Sequence, residues 1–226
     1  MSEEEKSFIS QVLGSIASPK RAFDSVQSGD LWKGVALIII LAAVSALAGY
    51  TYASKMSITI LGRLSQPTGF GPPGADIDPQ TLKRNMMTFY ALRDGLRAFT
   101  GWLLSAALIH ILATVLAGSG NFKRMLALLG FAHIPLIPQQ ALRVIDAYTI
   151  PAEVLARVIS NRLLGQSLGL RLLTNFLAEF TVFGVWSFAL AFVAASANYQ
   201  ATYKKAAAAV MSAYILMILL QLFLPL

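Results

Sequence analysis

The chain has 226 residues, of which 56% are apolar and 13% charged, with a mean hydropathy of +0.64. A soluble domain is nearer one quarter charged, and a disordered chain combines low hydrophobicity with high charge, so both classes are excluded. Lys and Arg number 18 against 11 Asp and Glu, and there is no cysteine; the basic excess reads as cations flanking membrane spans, not as a nucleic-acid surface, and disulfides and thiolate metal sites are ruled out.

The start is acidic (Glu3, Glu4, Glu5), unlike the positive leader of a cleaved signal peptide, so the first span is expected to act as an uncleaved insertion signal. Phe8, Ile9, Val12, Leu13 and Ile16 share one face of a helix too short to span, which predicts an interfacial amphipathic helix. Ser18-Pro19 reads as an N-cap followed by proline at the first helical position. Phe23 and Val26 continue the apolar face, with Lys20, Arg21 and Asp24 toward water. Residues 1–30 therefore form a cytosolic or interfacial segment ahead of an all-α domain, 31–226, with five transmembrane helices.

The first span, residues 31–53, is framed by Trp32 and by Tyr50 and Tyr52, as suits the two interfaces. Its small-residue pairs Ala42/Ala46 and Ser45/Gly49 would let a neighbouring helix approach closely. Residues 54–78, with Gly62, Pro67, Gly69, Gly71, Pro72, Pro73 and Gly74, read as a water-facing loop. Asp78-Pro79 starts the next helix. Lys83, Arg84, Arg93 and Arg97 precede its apolar stretch, so it is expected to project from the membrane before the second span at 98–117. After a tight turn at 118–121, the third span at 125–148 contains Pro135 and Pro138. Each removes a backbone donor, so a kink or break is expected near 133–138. Val154, Leu155, Val158, Ile159 and Leu163 predict a second interfacial helix over 151–165, and the fourth and fifth spans fall at 172–197 and 206–226. The two shortest turns carry Lys123-Arg124 and Lys204-Lys205, which favours a cytosolic N-terminus.

Three ionisable residues fall inside spans: His110, His133 and Glu179. Such groups face the bundle interior by default. Glu179 reads either as a proton or cation site or as a hydrogen-bonded structural carboxyl. His110 shares a face with Ala106, Ala113, Thr114 and Ala117 and is expected to bond across an interhelical seam. His133 is expected to donate to a carbonyl freed by the kink. The three are legitimate zinc ligands but come singly from separate helices without an H-E-x-x-H pattern, so no metal or cofactor is expected. Arg143 and Asp146, three apart, are expected to pair within their helix. There is no G-x-S-x-G, no phosphate loop and no serine nucleophile beside a base, so no enzyme is expected.

Two stretches carry a family pattern. Asp30-Leu31-Trp32-Lys33-Gly34 opens the first span, and Leu129-Gly130-Phe131-Ala132-His133-Ile134-Pro135-Leu136-Ile137-Pro138 lies in the third. They resemble the Yip family, Ypt/Rab-interacting polytopic membrane proteins with a D-L-Y-G-P-like start to the first span and a G-Y-x-x-x-P-type segment in the third. Here Trp32-Lys33 replaces the Tyr and shifts its Gly, and Phe131 stands where Tyr is usual. Residues Ser18 to Phe23 are similar to the proline-led helix of prokaryotic members. The resemblance implies a multi-pass protein of a prokaryotic cytoplasmic membrane, N-terminus in the cytosol, with Asp30, Leu31, Gly34, Gly130, Phe131, Pro135 and Pro138 as its motif residues. Together with the amphipathic segments it points to a non-enzymatic scaffold organising membrane, lipid or protein partners. The lipid bilayer, a membrane-protein or small-GTPase-like partner and a second copy of the chain are the expected partners; nucleic acid is not. The alternative is a small channel or transporter for protons, ions or small solutes that uses Glu179 and His133 beside the kink.

Overall fold

The computed structural model describes residues 7–64, 78–154 and 180–223. Its regular elements are α1 (Phe8–Ala17), α2 (Pro19–Asp24), a 3-10 turn (Ser28–Asp30), α3 (Leu31–Leu64), α4 (Pro79–Ala117), α5 (Phe122–Ala132), α6 (Leu136–Thr149), α7 (Val182–Tyr199) and α8 (Tyr203–Phe223). The fold is all-α. Among the described residues, α3, α4, α7 and α8 are each long and apolar enough to cross a bilayer, and α5 with α6, bent by 42°, brings the number to five when the pair is counted as one span.

α3 and α4 form the largest interface, and small residues set its register. A Cβ on Gly49 would stand 2.5 Å from the Tyr90 carbonyl oxygen, and one on Gly95 would stand 3.3 Å from the Ala42 carbonyl oxygen and from the Ala46 side chain. The stripe Ala42, Ala46, Gly49 is therefore where the antiparallel backbones touch. Lipid offers no hydrophobic drive for association, so close van der Waals contact supplies it. This register sets the turn Arg93–Arg97 beside the Ala42–Gly49 stretch of α3. One correction concerns 54–78: α3 continues through Gly62 to Leu64. One glycine costs a helix only about 1 kcal/mol relative to alanine, too little to end it, and the prolines begin only at Pro67. Residues 65–77 lie outside the described residues.

The third span breaks as expected, with a difference in how. α5 ends at Ala132 and α6 begins at Leu136. The gap is closed by 3-10 bonds from Ile134 N to Phe131 O (3.2 Å), Leu136 N to His133 O (2.9 Å) and Ile137 N to Ile134 O (3.0 Å). Pro135 causes the break. Pro138 falls in the first turn of α6, where backbone N–H groups have no intrahelical partner and its missing donor costs nothing.

α1 and α2 gather at one end of the bundle with the 118–121 turn and the α7–α8 turn; this is called the near end below. Arg124, in the first turn of α5, holds them there. Its Nε donates to Val26 O at 2.8 Å, Nη2 to Phe23 O at 3.3 Å and Nη1 to Ala197 O at 3.3 Å. The predicted apolar face of α1 is split. Phe8 and Val12 pack on the core with Gln11 and Ser15 buried beside them, while Ile9, Leu13 and Ile16 turn outward at 67%, 61% and 40% exposure. The fourth span is described from Phe180 and the fifth as α8. Most of the interfacial helix expected at 151–165, and Glu179, lie outside the described residues.

Candidate functional site

The register of α3 on α4 brings an acidic side chain to the far half of the bundle. Asp94 is 6% exposed, and a Cβ on Gly49 would come within 3.1 Å of its Oδ2. Oδ1 accepts from Arg93 Nε and Nη2 at 3.0 and 2.8 Å. Oδ2 accepts from Arg143 Nη2 at 3.4 Å, and Arg143 Nη1 donates to Gln140 Oε1 at 2.7 Å. Arg143 thus turns to Asp94 and Gln140 rather than forming the expected pair with Asp146: Asp94, across the α4–α6 interface, is the more buried carboxylate. A buried carboxylate is tolerable only with opposite charge and hydrogen bonds on both oxygens, which two guanidiniums supply. Both guanidiniums also lie over rings, Arg93 on Tyr90 at 4.5 Å and Arg143 on Tyr52 at 5.5 Å.

This cluster forms one wall of an open cavity of about 470 Å³ between α3, α4, α6, α7 and α8. Arg97, Gln139, Thr181 and Ser187 add polar groups to it, and Leu41, Trp102 and Met217 add apolar surface. His133 lines it at the helix break. Its Nδ1–H donates to Leu129 O at 2.6 Å, so the ring's other nitrogen, Nε2, remains as an acceptor. The partner differs from expectation. Leu129 O also accepts the ordinary helical bond from His133 N at 3.1 Å, whereas the carbonyls near the prolines are taken up by the 3-10 bonds. His110 stands elsewhere, near the α4–α5 turn, bonded to the Tyr199 hydroxyl and 5.1 Å from the Phe122 ring. It bridges the helical seam its neighbours indicated, and the structure does not bring it to His133.

Sequence reading missed the Arg93, Asp94 and Arg97 turn as a site. One signal was present: Tyr90, Asp94 and Arg97 recur at helical spacing on one face, and Asp94 stands alone among basic neighbours.

The motif residues converge at the near half. Asp30 Oδ1 pairs with Lys33 Nζ at 2.7 Å, the Lys33 side chain being 4% exposed, and Asp30 Oδ2 accepts from Gln27 N at 2.9 Å in the capping box of the 3-10 turn that leads into α3. One turn on, Gly34 meets Gly130 backbone to backbone. Phe131 lies 6.4 Å from Phe8, itself 6.0 Å from Trp32. A family model described as the Yip1 domain matches residues 13–224. The chain belongs to this family. Comparison with curated proteins and with solved structures returns no match. In this Yip1 domain the segments around Asp30–Gly34 and Gly130–Pro135 form one structural unit, joined by the glycine contact, and α4 is tied to α5 by Trp102, whose Nε1–H donates to Leu126 O at 3.1 Å. The protein is a multi-pass integral membrane protein of the Yip type, with the lipid bilayer around its apolar helices.

Proposed function

We propose that this Yip1-domain protein is a non-enzymatic scaffold that organises the bilayer through α1. The observation that carries the reading is the way α1 is seated. Its polar residues Gln11 and Ser15 are buried and its apolar residues Ile9, Leu13 and Ile16 point outward, level with Trp32 at the start of the first span. In water that arrangement exposes apolar area at a cost of about 25 cal/mol per Å²; at a headgroup boundary the same side chains enter the acyl region and act as a wedge. Basic pairs in the two short near-end turns, Lys123-Arg124 and Lys204-Lys205, support placing this end in the cytosol. The proline-led α2 supports a prokaryotic cytoplasmic membrane. Membrane-protein or small-GTPase-like partners, and further copies of the chain, would dock on a membrane so organised.

The test is reconstitution in phosphatidylglycerol and phosphatidylcholine vesicles with Ile9→Asp/Leu13→Asp. Both positions face outward, so the bundle folds. Wild type is expected to deform the vesicles and the variant to leave them round; equal shapes for both would remove the reading.

The transport alternative retains one supporting observation, a polar cavity beside a broken span lined by His133. Proteoliposome flux equal in wild type, His133→Ala, Glu179→Gln and empty vesicles would eliminate it.

A further inference from the structure

The unspent hydrogen-bonding capacity of the far-half cavity is almost entirely that of donors. Among the described residues, three arginines, Arg93, Arg97 and Arg143, line it against one carboxylate, Asp94. Both oxygens of that carboxylate are already engaged. The carboxamide oxygens are also taken: Gln140 Oε1 by Arg143 and Gln139 Oε1 by the Thr181 hydroxyl at 3.2 Å. This leaves both NH₂ groups as donors. Among the described residues the guanidinium of Arg97 has no hydrogen bond or ion pair. Ser187, 2% exposed, lines the same cavity with a hydroxyl that has no partner. A buried hydroxyl without a partner costs about 1–3 kcal/mol, and the exposed Arg97 guanidinium keeps its donors free. The hydroxyl's cost vanishes and the guanidinium gains a partner when an anion with several acceptor oxygens enters.

We propose that this cavity binds a phosphate group, held by Arg97 with help from Arg93 and Arg143. A phosphate offers oxygens in the forked geometry that guanidiniums match. The apolar part of the wall, Leu41, Trp102 and Met217 among others, suits the remainder of an amphiphile, and about 470 Å³ accommodates a headgroup with its glycerol. The phosphate therefore arrives either as the headgroup of an anionic phospholipid or as a small soluble phosphate ester. The site lies in the opposite half of the bundle from α1 and is independent of what α1 does at the bilayer surface.

The experiment uses the full chain in a neutral detergent and measures binding of dihexanoyl phosphatidylglycerol, dihexanoyl phosphatidylcholine and glycerol phosphate by calorimetry. The phosphatidylglycerol is expected to bind, with phosphatidylcholine at least about tenfold weaker because the cavity carries excess positive charge. Arg97→Gln should weaken binding about tenfold and Arg97→Lys by less, since charge survives but the fork does not. Arg84→Gln, on the same helix outside the cavity, should bind as wild type. Ser187→Ala gives up no bond in the fold, so it should remain folded yet bind a few-fold more weakly. Competition by glycerol phosphate at equal affinity assigns the site to a soluble phosphate, and absence of competition assigns it to the lipid; either supports the proposal. Equal binding of the two lipids, or affinity unchanged in both Arg97→Gln and Ser187→Ala, overturns it.

Discussion

Replacing Gly130 with alanine tests the contact that joins the two motif segments. A Cβ there would stand 2.4 Å from Gly34 Cα and 2.5 Å from Gly34 O, where ordinary contact begins at 3.4 Å. Both obstacles are backbone, so no rotamer relieves them and α3 and α5 must part by about 1 Å. A gap of that size forfeits roughly a quarter to a half of each contact it opens. The layer contains the fully buried Ile38, Leu128, Leu129 and Phe131, so many contacts are affected. Overpacking of a tight core costs about 1–3 kcal/mol, and this site belongs at the upper end. The better helix propensity of alanine returns about 1 kcal/mol, leaving a net loss of about 2 kcal/mol. Gly101→Ala is the control: it gains the same propensity, and nothing lies within 4 Å of its new Cβ. Equilibrium unfolding by SDS in mixed micelles should therefore place the two variants on opposite sides of wild type, about 3 kcal/mol apart. Gly34→Ala, whose Cβ would meet Ala127 O at 2.7 Å, should combine with Gly130→Ala at less than the sum, because helices already parted no longer resist. Identical midpoints for Gly130→Ala and Gly101→Ala would refute the reasoning.

Lys33→Met removes the buried cation that pairs with the half-buried Asp30 and should cost about 1.5–3 kcal/mol in the same assay; adding Asp30→Asn should recover most of it, and a further loss in the double variant would count against the pair. Arg124→Met should release residues 19–27, raising amide exchange there by one to two orders of magnitude, since bonds from a charged donor are worth about 1.5–3 kcal/mol each; exchange no faster than wild type would argue that α2 is held by apolar packing alone. The start of α4 should respond to acid. The Thr81 hydroxyl, and then the amides of Gln80 and Thr81, hold the Asp78 carboxyl below its ordinary value of 3.8. A lowered folded pKa means the cap's contribution is complete above 3.8 and lost as pH falls through the lower folded value. Amide protection at 80–82 should thus drop only in strong acid, and Asp78→Asn, which still caps, should abolish that dependence.

The hydrophobic spans and the proline break were legible because each depends on neighbouring residues alone: a run of apolar side chains, or a proline without its donor. The Ala42, Ala46 and Gly49 stripe was legible for the same reason. The cavity was not. Arg93 and Arg97 look extramembranous when judged by their own flanks, and what sets them beside Asp94 and the cavity is Gly95 against Ala42 and Ala46, a contact across two helices. Arg143 looked like the partner of Asp146 by spacing, but tertiary packing offered it a more buried carboxylate. His133 was placed correctly at the break and assigned the wrong carbonyl, because the 3-10 bonds satisfy the groups the prolines had freed.

The staggered pairing of the two long antiparallel helices has a consequence for the surrounding lipid. Where one presents only aliphatic surface, the other presents arginine, so no flat slab of acyl chains can match both. Because the guanidiniums line the cavity, water or a lipid's glycerol layer that follows them down enters between the helices, and either makes the leaflet locally thinner at that opening. The protein therefore imprints an asymmetry on its annulus of lipid even when nothing is bound and no helix moves.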